Sequence, residues 1–550
     1  MKRILVTAML LIGVFCLFGQ NYEGEWAIKA GGVQEELSKD IVTDSDGNSY
    51  LVGSFQGESV FGNTTLASAG NRDGFVAKVN SEGKWVWVKR VGGTGLDQVN
   101  SLSLNDAREI VITGLFEGSV TFGNKTLVSA GKRDVFIAKL SNNGEWQWAV
   151  SCGGEGNENA TAVVTDLENS VYVTGTYQGS ANFGDTKLVS SEGTDLFVVK
   201  IDNDGDWVWA KRAGGSFDTF STCMVVDESK ALYVGGYFKG TAAFGSNTLN
   251  SVGGEDGFVA RMNHAGNWQW AKRCGSEKDD RVTAVGIDSA ENVVVSGYFQ
   301  DLASFGAYEL ENQGGKDLFV AKLNNSGSWQ WAKAAGGEEE VAPNSMVIDS
   351  QDNILTAGYF SGSIYVGEAL FNTNGGWDML ITMMDKKGDW IWGRKQGGIY
   401  TDQITSICMD GDDNVLVTGT FQSDMKLANK WLSSSGGSDI FVAKLTTDVS
   451  AEESVLPSIT KIDAKNYPNP FNPQTTIQLN IPNSSEINLS VYNTKGALVK
   501  TLVNKRLETG TYSYVWNGDD QKGKPVASGV YFYRVENGGE TFSKRMILLK

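Results

Sequence analysis

Short runs of alternating apolar and polar residues, separated by turns rich in Gly, Asn and Asp, extend along almost the whole chain. One stretch contains four such runs, at Thr161–Asp166, Ser170–Tyr177, Asp195–Ile201 and Trp207–Ala213. Runs of this length predict antiparallel β-strands, and turns such as Asn-Asn-Gly-Glu-Trp predict hairpins between them. About twenty residues, with a short Phe-Gly-x-x-x-Leu element, separate the second run from the third. The pattern therefore predicts units of four strands.

This four-strand pattern recurs seven times with a period of 61 residues and without insertion or deletion. A Trp-x-Trp pair marks the fourth strand, and its second Trp recurs at Trp87, Trp148, Trp209, Trp270, Trp331 and Trp392, with Trp26 one period upstream. An Asp opens each third strand, at Asp73, Asp134, Asp195, Asp256, Asp317, Asp378 and Asp439. A fixed period of four-stranded units is typical of repeat architectures.

Seven such units predict an all-β fold, a seven-bladed β-propeller over residues 21–445. The seventh copy lacks its Trp-x-Trp strand, whereas the segment around Trp26 supplies that strand at the other end of the chain. Pairing the two completes the last blade and removes an open sheet edge. The alternative, an open solenoid, leaves the N-terminal strand unpaired, so we expect a closed ring.

The copies resemble the β-propeller repeat family called SBBP. The matching segments read DIFVAKL, NNGEW, TDSDGNSYLVG and VYVTGTY, and the resemblance covers residues 26–445. The sixth copy departs most, since WDMLITMMDKKG lacks the Phe and the Lys. The resemblance implies a propeller fold and carries no shared catalytic residues.

Residues 446–463 are polar and unpatterned, which predicts a linker, and residues 464–550 contain short alternating strands that predict a small Ig-like sandwich. This tail resembles the C-terminal sorting domain of type IX secretion cargo, and also the Ig-like fold of the flagellar hook cap. The resemblance rests on the SVYNTKGALVKTL run, the closing KRMILLK and the motif Tyr467, Pro468, Asn469, Pro470, Phe471, Asn472 and Pro473. It implies that residues 464–550 are an address read by the type IX secretion machinery, either cleaved or retained on arrival.

The first 20 residues combine Lys2 and Arg3 with an apolar run from Ile4 to Phe18, which predicts a secretory signal peptide. Cys16 is an alternative lipidation site, but Phe15 stands where a small residue is expected. We therefore expect export through the periplasm to the outer-membrane surface or the medium, with no membrane-spanning segment. The other cysteines are expected to be buried free thiols, at Cys152, Cys223, Cys274 and Cys408.

A net charge of −18 argues against nucleic-acid binding, because a phosphate backbone needs a basic face. The chain has one histidine, His264, which argues strongly against His-based triads and His-ligated zinc. The tail alone has 11 basic and 6 acidic residues, so it differs in charge from the acidic propeller. No cofactor is expected, and calcium is left open as a ligand.

The repeated Trp pairs are interpreted as packing between blades, with a sugar-binding platform as the alternative. The aligned Asp residues are interpreted as caps of turns, with a ring of carboxylates around a cation as the alternative. The segment Asp202–Asp206 resembles a calcium loop, but a hairpin turn is preferred. The loops after each Gly-Gly differ between copies, so they are the expected ligand face. Candidate ligand residues are Trp377 and Trp431, which lie outside the repeat pattern, and the acidic residues Asp279, Asp280, Glu338 and Glu339.

Three functions remain open at this stage. The first is a non-enzymatic propeller that binds a glycan or a protein at the cell surface. The second is an extracellular polysaccharide hydrolase or lyase that uses carboxylates of the variable loops, although no catalytic pair stands out. The third is a purely structural envelope protein. The fold alone does not identify the ligand.

Overall fold

The computed structural model describes residues 22–447, 463–467, 469, 471–481, 484–507, 510–537 and 540–549. Contacts divide the chain into two compact units, Met1–Val449 and Ser450–Lys550. The predicted signal peptide and all but a few residues of the predicted linker lie outside the described residues. Among the described residues, no helix is long and apolar enough to cross a membrane.

The first unit begins with one strand that precedes the repeats, β1 (Tyr22–Gly32). The first two repeats contain β2 (Glu36–Thr43), β3 (Ser49–Phe55), β4 (Glu58–Phe61), β5 (Thr64–Ala67), β6 (Asp73–Val79), β7 (Trp85–Val91), β8 (Gln98–Leu104), β9 (Ile110–Phe116), β10 (Ser119–Phe122), β11 (Lys125–Val128), β12 (Asp134–Leu140) and β13 (Trp146–Gly154). The third and fourth contain β14 (Asn159–Thr165), β15 (Val171–Phe183), β16 (Thr186–Ile201), β17 (Trp207–Gly215), β18 (Thr219–Val226), β19 (Leu232–Phe244), β20 (Asn247–Met262) and β21 (Trp268–Cys274).

The remaining repeats follow the same order. The fifth contains β22 (Arg281–Ile287), β23 (Val293–Phe299), β24 (Ala303–Phe305), β25 (Tyr308–Leu310), β26 (Asp317–Leu323) and β27 (Trp329–Gly337). The sixth contains β28 (Val341–Ile348), β29 (Ile354–Phe360), β30 (Ser363–Val366), β31 (Ala369–Asn372), β32 (Asp378–Met384) and β33 (Trp390–Gln396), and the seventh contains β34 (Gln403–Met409), β35 (Val415–Leu427) and β36 (Lys430–Thr447).

Strand pairing groups these elements into four-stranded antiparallel blades, numbered here by repeat. Blade 1 is β2-β3-β6-β7, and the other blades follow the same order. In blade 7, β1 supplies the missing outer strand, with Trp26 opposite Lys444 in β36. The first strands β2, β8, β14, β18, β22, β28 and β34 contact one another in sequence, and β34 contacts β2. The predicted all-β propeller is therefore confirmed, and its ring is closed by the N-terminal strand.

The repeated Trp residues join neighbouring blades. Trp87 Nε1 donates a hydrogen bond to the carbonyl oxygen of Asn142 in the next blade at 3.2 Å, and Trp270 does the same to Asn325 at 3.0 Å. The ring of Trp87 lies against Gly144, where a Cβ atom would come within 3.3 Å of the indole. The first Trp of a pair packs edge-on against the Phe of the extra hairpin, as Trp85 does on Phe61 at 5.2 Å. These contacts support the packing interpretation.

The Gly-Gly pairs mark where one blade's outer strand meets the hairpin of the next. Gly153 and Gly154 pair with Asn182 and Ala181 across this junction. A Cβ atom on Gly154 would lie 1.9 Å from the carbonyl oxygen of Ser180, so only glycine fits.

The second unit is a two-sheet sandwich. Its strands are β37 (Asp463–Tyr467), β38 (Thr475–Ile481), β39 (Ser485–Asn493), β40 (Leu498–Leu507), β41 (Gly510–Trp516), β42 (Gly529–Asn537) and β43 (Glu540–Leu548). They form the sheets β37-β38-β41 and β40-β39-β42-β43. The two sheets bury one shared core that includes Trp516, Leu489 and Tyr533. The predicted Ig-like architecture is confirmed.

Candidate functional site

Each blade is an antiparallel meander, so alternate strand ends lie on the same face of the ring. One face therefore carries the variable loops, together with the starts of the first and third strands and the ends of the second strands. On this face, blades 4, 5 and 6 carry a continuous set of half-buried aromatic and cationic side chains. We call it the aromatic arc, and it consists of Phe220, Tyr237, Arg281, Tyr298, Lys316, Tyr359 and Trp377.

The arc begins in blade 4 with a stacked pair. Phe220 and Tyr237 are cross-strand neighbours, and their ring centroids are 4.9 Å apart with planes 25° from parallel. The guanidinium of Arg281, at the start of blade 5, lies over the Tyr237 ring at 4.0 Å. The same guanidinium forms an ion pair of 2.6 Å with Glu255. Arg281 therefore spans the junction of blades 4 and 5 as a cation–π and ion-pair contact.

The arc continues into blades 5 and 6. Lys316 Nζ lies 5.1 Å from the centroid of the Tyr298 ring and 3.4 Å from the carboxylate of Glu340. Tyr359 and Trp377 end the arc as a stack with centroids 4.3 Å apart and planes 21° from parallel. Offset stacks of this kind hold planar rings at a surface with little freedom to rotate. The arc is therefore a preorganised aromatic surface with charge-balanced polar groups.

The phenols of the arc stay neutral at physiological pH. Burial raises the pKa of Tyr298 to about 12, with Arg281 opposing and Glu255 adding to the shift. Burial likewise raises the pKa of Tyr237 and of Tyr359. Neutral phenols donate and accept hydrogen bonds, so these side chains suit recognition of hydroxyl and amide groups better than proton abstraction.

The three tyrosines have no counterpart in the rest of the ring. The equivalent residues at the second-strand ends of blades 1, 2, 3 and 7 are Ser54, Leu115, Thr176 and Thr420, all buried. Apolar side chains in the variable loops add to the same face, since Phe217 is 56% and Ile399 67% exposed. Exposed apolar groups next to an aromatic surface are typical of interaction sites.

The structure separates the candidate ligand residues predicted from the sequence. Trp377 belongs to the arc, whereas Trp431 lies on the outer hairpin of blade 7, opposite Lys426, and is 69% exposed. Asp279 is exposed and accepts a hydrogen bond of 3.0 Å from the Glu255 amide. Glu338 and Glu339 are exposed in the loop before blade 6.

Asp280 is buried rather than displayed. Its carboxyl accepts hydrogen bonds from the amide and hydroxyl of Ser276 and from the amide of Gln300. The aligned Asp residues are also buried, each in its own blade. Asp134 Oδ2, for example, accepts the Ala130 amide at 2.9 Å, which agrees with the turn-cap interpretation. Among the described residues, no group of three or more His, Cys, Asp or Glu side chains could hold a metal ion.

The first strands surround a central cavity of about 330 Å³. Asn and Thr side chains line it and bond to the next blade, as Thr222 Oγ1 does to the carbonyl oxygen of Val282 at 2.7 Å. Blade 1 instead places Lys39 and Asp40 there. Asp40 accepts hydrogen bonds from Ser101 and Ser406 at 2.9 Å each, so it fastens blade 1 to blades 2 and 7.

The motif at the start of the tail is tied to the last strand. Asn469 accepts a hydrogen bond from the Ile547 amide at 2.8 Å and donates one to the Arg545 carbonyl at 3.1 Å. Phe471 is buried against Trp516 at 5.5 Å. Pro468 and Pro470 lie outside the described residues.

Residues 471–540 match the FlgD Ig-like domain family. The chain is 21% identical over 507 residues to an uncharacterized WD repeat-containing protein of Acanthamoeba polyphaga mimivirus, covering 72% of this chain and 36% of that protein. It is 27% identical over 320 residues to the regulatory protein FlaEY of Caulobacter vibrioides, and the match covers 52% of this chain and 32% of that protein. The chain thus spans about a third of the length of these curated relatives.

Among solved structures, PorZ, a surface component of the type IX secretion system of Porphyromonas gingivalis, is similar with a TM-score of 0.21 and 11% identity. The match covers 95% of this chain and 100% of that one. A likeness of this size assigns no function to the chain.

Proposed function

We propose that this chain is an exported, non-enzymatic recognition protein of the bacterial surface. In this proposal its propeller binds a macromolecular ligand along the aromatic arc, and its Ig-like tail is the address for type IX secretion. The observation that carries the proposal is the arc itself, a continuous, half-buried aromatic surface confined to three of the blades. Tyr, Trp and Arg are the residue types that dominate binding energy at macromolecular interfaces.

The electrostatics of the face favour binding over catalysis. The acids with raised pKa that an acid–base mechanism would need, such as Glu158 and Asp280, are buried within blade junctions. At the arc, Arg281 and Lys316 are neutralised by Glu255 and Glu340. Planar rings flanked by balanced charges suit a weakly charged polymer, and a glycan is the first class to test.

A binding screen tests the ligand part of the proposal. Purified full-length protein is applied to a glycan array and to cell-wall polymers, with and without calcium. We expect binding that is lost in Tyr298→Ala and Trp377→Ala but kept in Trp431→Ala, which removes an exposed aromatic side chain outside the arc. Equal binding by all three variants would remove the arc from the proposal, and binding to no polymer would favour a protein partner.

The tail part is tested separately in a bacterium that has type IX secretion. We expect the full chain to reach the cell surface or the medium and a chain that ends at Thr447 to stay inside. Surface delivery of the truncated chain would contradict the sorting role.

A further inference from the structure

Five blade junctions bury two carboxyl groups beside each other. One is the side chain of the aligned Asp, which opens the third strand of a blade. The other, called here the second acid, belongs to the residue that follows the Gly-Gly pair and opens the next blade. The pairs are Asp73 with Asp97, Asp134 with Glu158, Asp256 with Asp280, Asp378 with Asp402, and Asp439 with Glu36, and every member is at most 3% exposed. At one junction, a Cβ atom on Gly275 would lie 2.8 Å from Asp280 Oδ2 and 3.2 Å from Asp256 Oδ1, so these oxygens face the same point.

Each of the five aligned Asp residues has one oxygen without a donor. In blade 2, Asp134 Oδ2 accepts the Ala130 amide at 2.9 Å, and the Gly154 amide donates to Glu158 Oε2 at 2.9 Å. Asp134 Oδ1 is buried and accepts no hydrogen bond, and the same is true of Asp73, Asp256, Asp378 and Asp439. A buried acceptor without a partner is costly, so a donor is missing at this point.

The two remaining junctions, which lack the second acid, provide a comparison. At the junction of blades 5 and 6 the second acid is replaced by Val341, and there Asp317 Oδ1 accepts the Gly337 amide at 3.2 Å instead. At the junction of blades 3 and 4 it is replaced by Thr219, and there Asp195 Oδ1 and the Thr219 hydroxyl are each buried without a hydrogen-bond partner. The aligned Asp therefore lacks a donor at the junctions whose second position carries a carboxyl or hydroxyl group, and it has one where that position is the apolar Val341.

We propose that each of the five junctions binds one proton between its two carboxyl groups, carried by the second acid and donated to the orphaned Oδ1 of the aligned Asp. The occupied pair joins two blades by a hydrogen bond that the ionised pair lacks. The folded ring is then more stable under mildly acidic conditions and less stable when the protons leave.

The surrounding charges agree with this assignment. Groups that face the pairs are Arg90 and Glu117 at the first, Cys152 at the second, Arg273 and Cys274 at the third, Lys395 at the fourth, and Lys29 and Arg72 at the fifth. Four of the aligned Asp residues, Asp73, Asp256, Asp378 and Asp439, form an ion pair with a cation, which favours placing the proton on the second acid.

Burial, reinforced by the charge of the aligned Asp, raises the pKa of the second acid. The raised pKa is about 7 for Glu36, Glu158 and Asp280, and about 6 for Asp97 and Asp402. A folded-state pKa above the unfolded value gives stability that is fully present below the unfolded pKa and is lost as pH rises through the folded pKa. The loss should therefore begin near pH 4, where the unfolded carboxyl groups ionise, and be complete by about pH 8.

The test is the pH dependence of urea unfolding of the full chain. Tryptophan fluorescence follows the propeller, since 15 of the 16 Trp residues lie before residue 447. We expect the wild type to become less stable from pH 5.5 to pH 8, with up to five protons released on deprotonation of the folded ring. Glu158→Gln should lower this number by one, and Glu155→Gln, an exposed carboxylate of the same loop, should leave it unchanged.

Glu158→Thr, which copies the residue found at Thr219, provides a second variant if the amide misfolds. Infrared difference spectra of Glu158→Gln against wild type should show one protonated carboxyl band fewer at pH 6. An unchanged proton count in both folded variants would overturn the proposal. So would calcium, added at pH 8, if it stabilised the wild type but not Glu158→Gln, since a cation would then occupy the pair in place of the proton.

Discussion

One position of the repeat, the end of the second strand, differs between two parts of the ring. In blades 4, 5 and 6 it is a half-buried tyrosine, Tyr237, Tyr298 or Tyr359, and in the other blades it is a buried Ser, Thr or Leu. The junctions do not differ in this way, because Trp87 and Trp270 make the same bond to the following blade. The repetition holds the ring together, and the departure from it marks the surface proposed here to bind a ligand.

The largest loss of stability should come from substitutions at the Gly-Gly junctions that all blades share. This loss should be equal in the blades with the tyrosines and in the blades without them. Gly154→Ala and Gly337→Ala would bring a Cβ atom within 1.9 and 2.0 Å of a carbonyl oxygen of the neighbouring hairpin. We expect each to lower the free energy of unfolding by about 3 kcal/mol or more, because two backbones must separate. Urea unfolding measures the loss, and Gly411→Ala, which meets nothing within 4 Å, is the control. Wild-type stability in either variant would contradict the shared geometry.

A second comparison removes the Trp contacts. Trp87→Ala and Trp270→Ala each delete an indole that bonds the next blade and packs on its turn glycine. We expect about 3 kcal/mol of destabilisation in each, from lost apolar burial and a cavity between blades. Trp431→Ala, at an exposed side chain, should stay within about 0.5 kcal/mol of wild type. A large difference between the two junction variants would mean that the parts of the ring are built differently.

Most of the fold could be predicted from the sequence because the pattern is strictly periodic. Trp26 one period before Trp87 was sufficient to predict the strand that closes blade 7, which pairs with β36 as expected. Of the candidate ligand residues, Trp377 was singled out for standing outside the pattern, and it ends the arc. The domain boundaries and the seven-blade count remain predictions from the same periodicity.

The arc as a whole was not predicted, because its members come from three different positions of the repeat. Tyr237 and Tyr298 look like ordinary strand residues until the neighbouring blade is placed beside them. Asp280 shows the opposite difficulty, since an acidic loop predicts exposure but the side chain turns inward to the Ser276 and Gln300 amides. An alignment of the seven copies against one another offers one signal, a change from Ser, Thr or Leu to Tyr at a single column.

A third prediction separates the two parts by ligand binding. Tyr298→Thr gives blade 5 the residue that blades 3 and 7 carry at this position. We expect it to weaken binding of the ligand found in the screen by 10- to 100-fold, about 1.4 to 2.8 kcal/mol, while the fold is kept. Thr176→Ala, at the same position in blade 3, should leave binding unchanged. Equal losses in both variants would show that the ligand contacts the whole ring.

The smallest effect should come from a change that keeps the charge of the arc. Arg281→Lys retains a cation that can pair with Glu255 but loses the planar group that lies 4.0 Å over the Tyr237 ring. We expect ligand binding to weaken by about 2- to 5-fold, since a stacked guanidinium contributes roughly 0.5 to 1 kcal/mol at an accessible site. Arg133→Lys, on the same face in blade 2 and paired with Glu117 at 2.9 Å, is the matched control and should bind as wild type does. Titration of both variants measures the difference. A loss of the same size in Arg133→Lys would assign the effect to overall charge, whereas a loss confined to Arg281→Lys ties it to the stack on Tyr237.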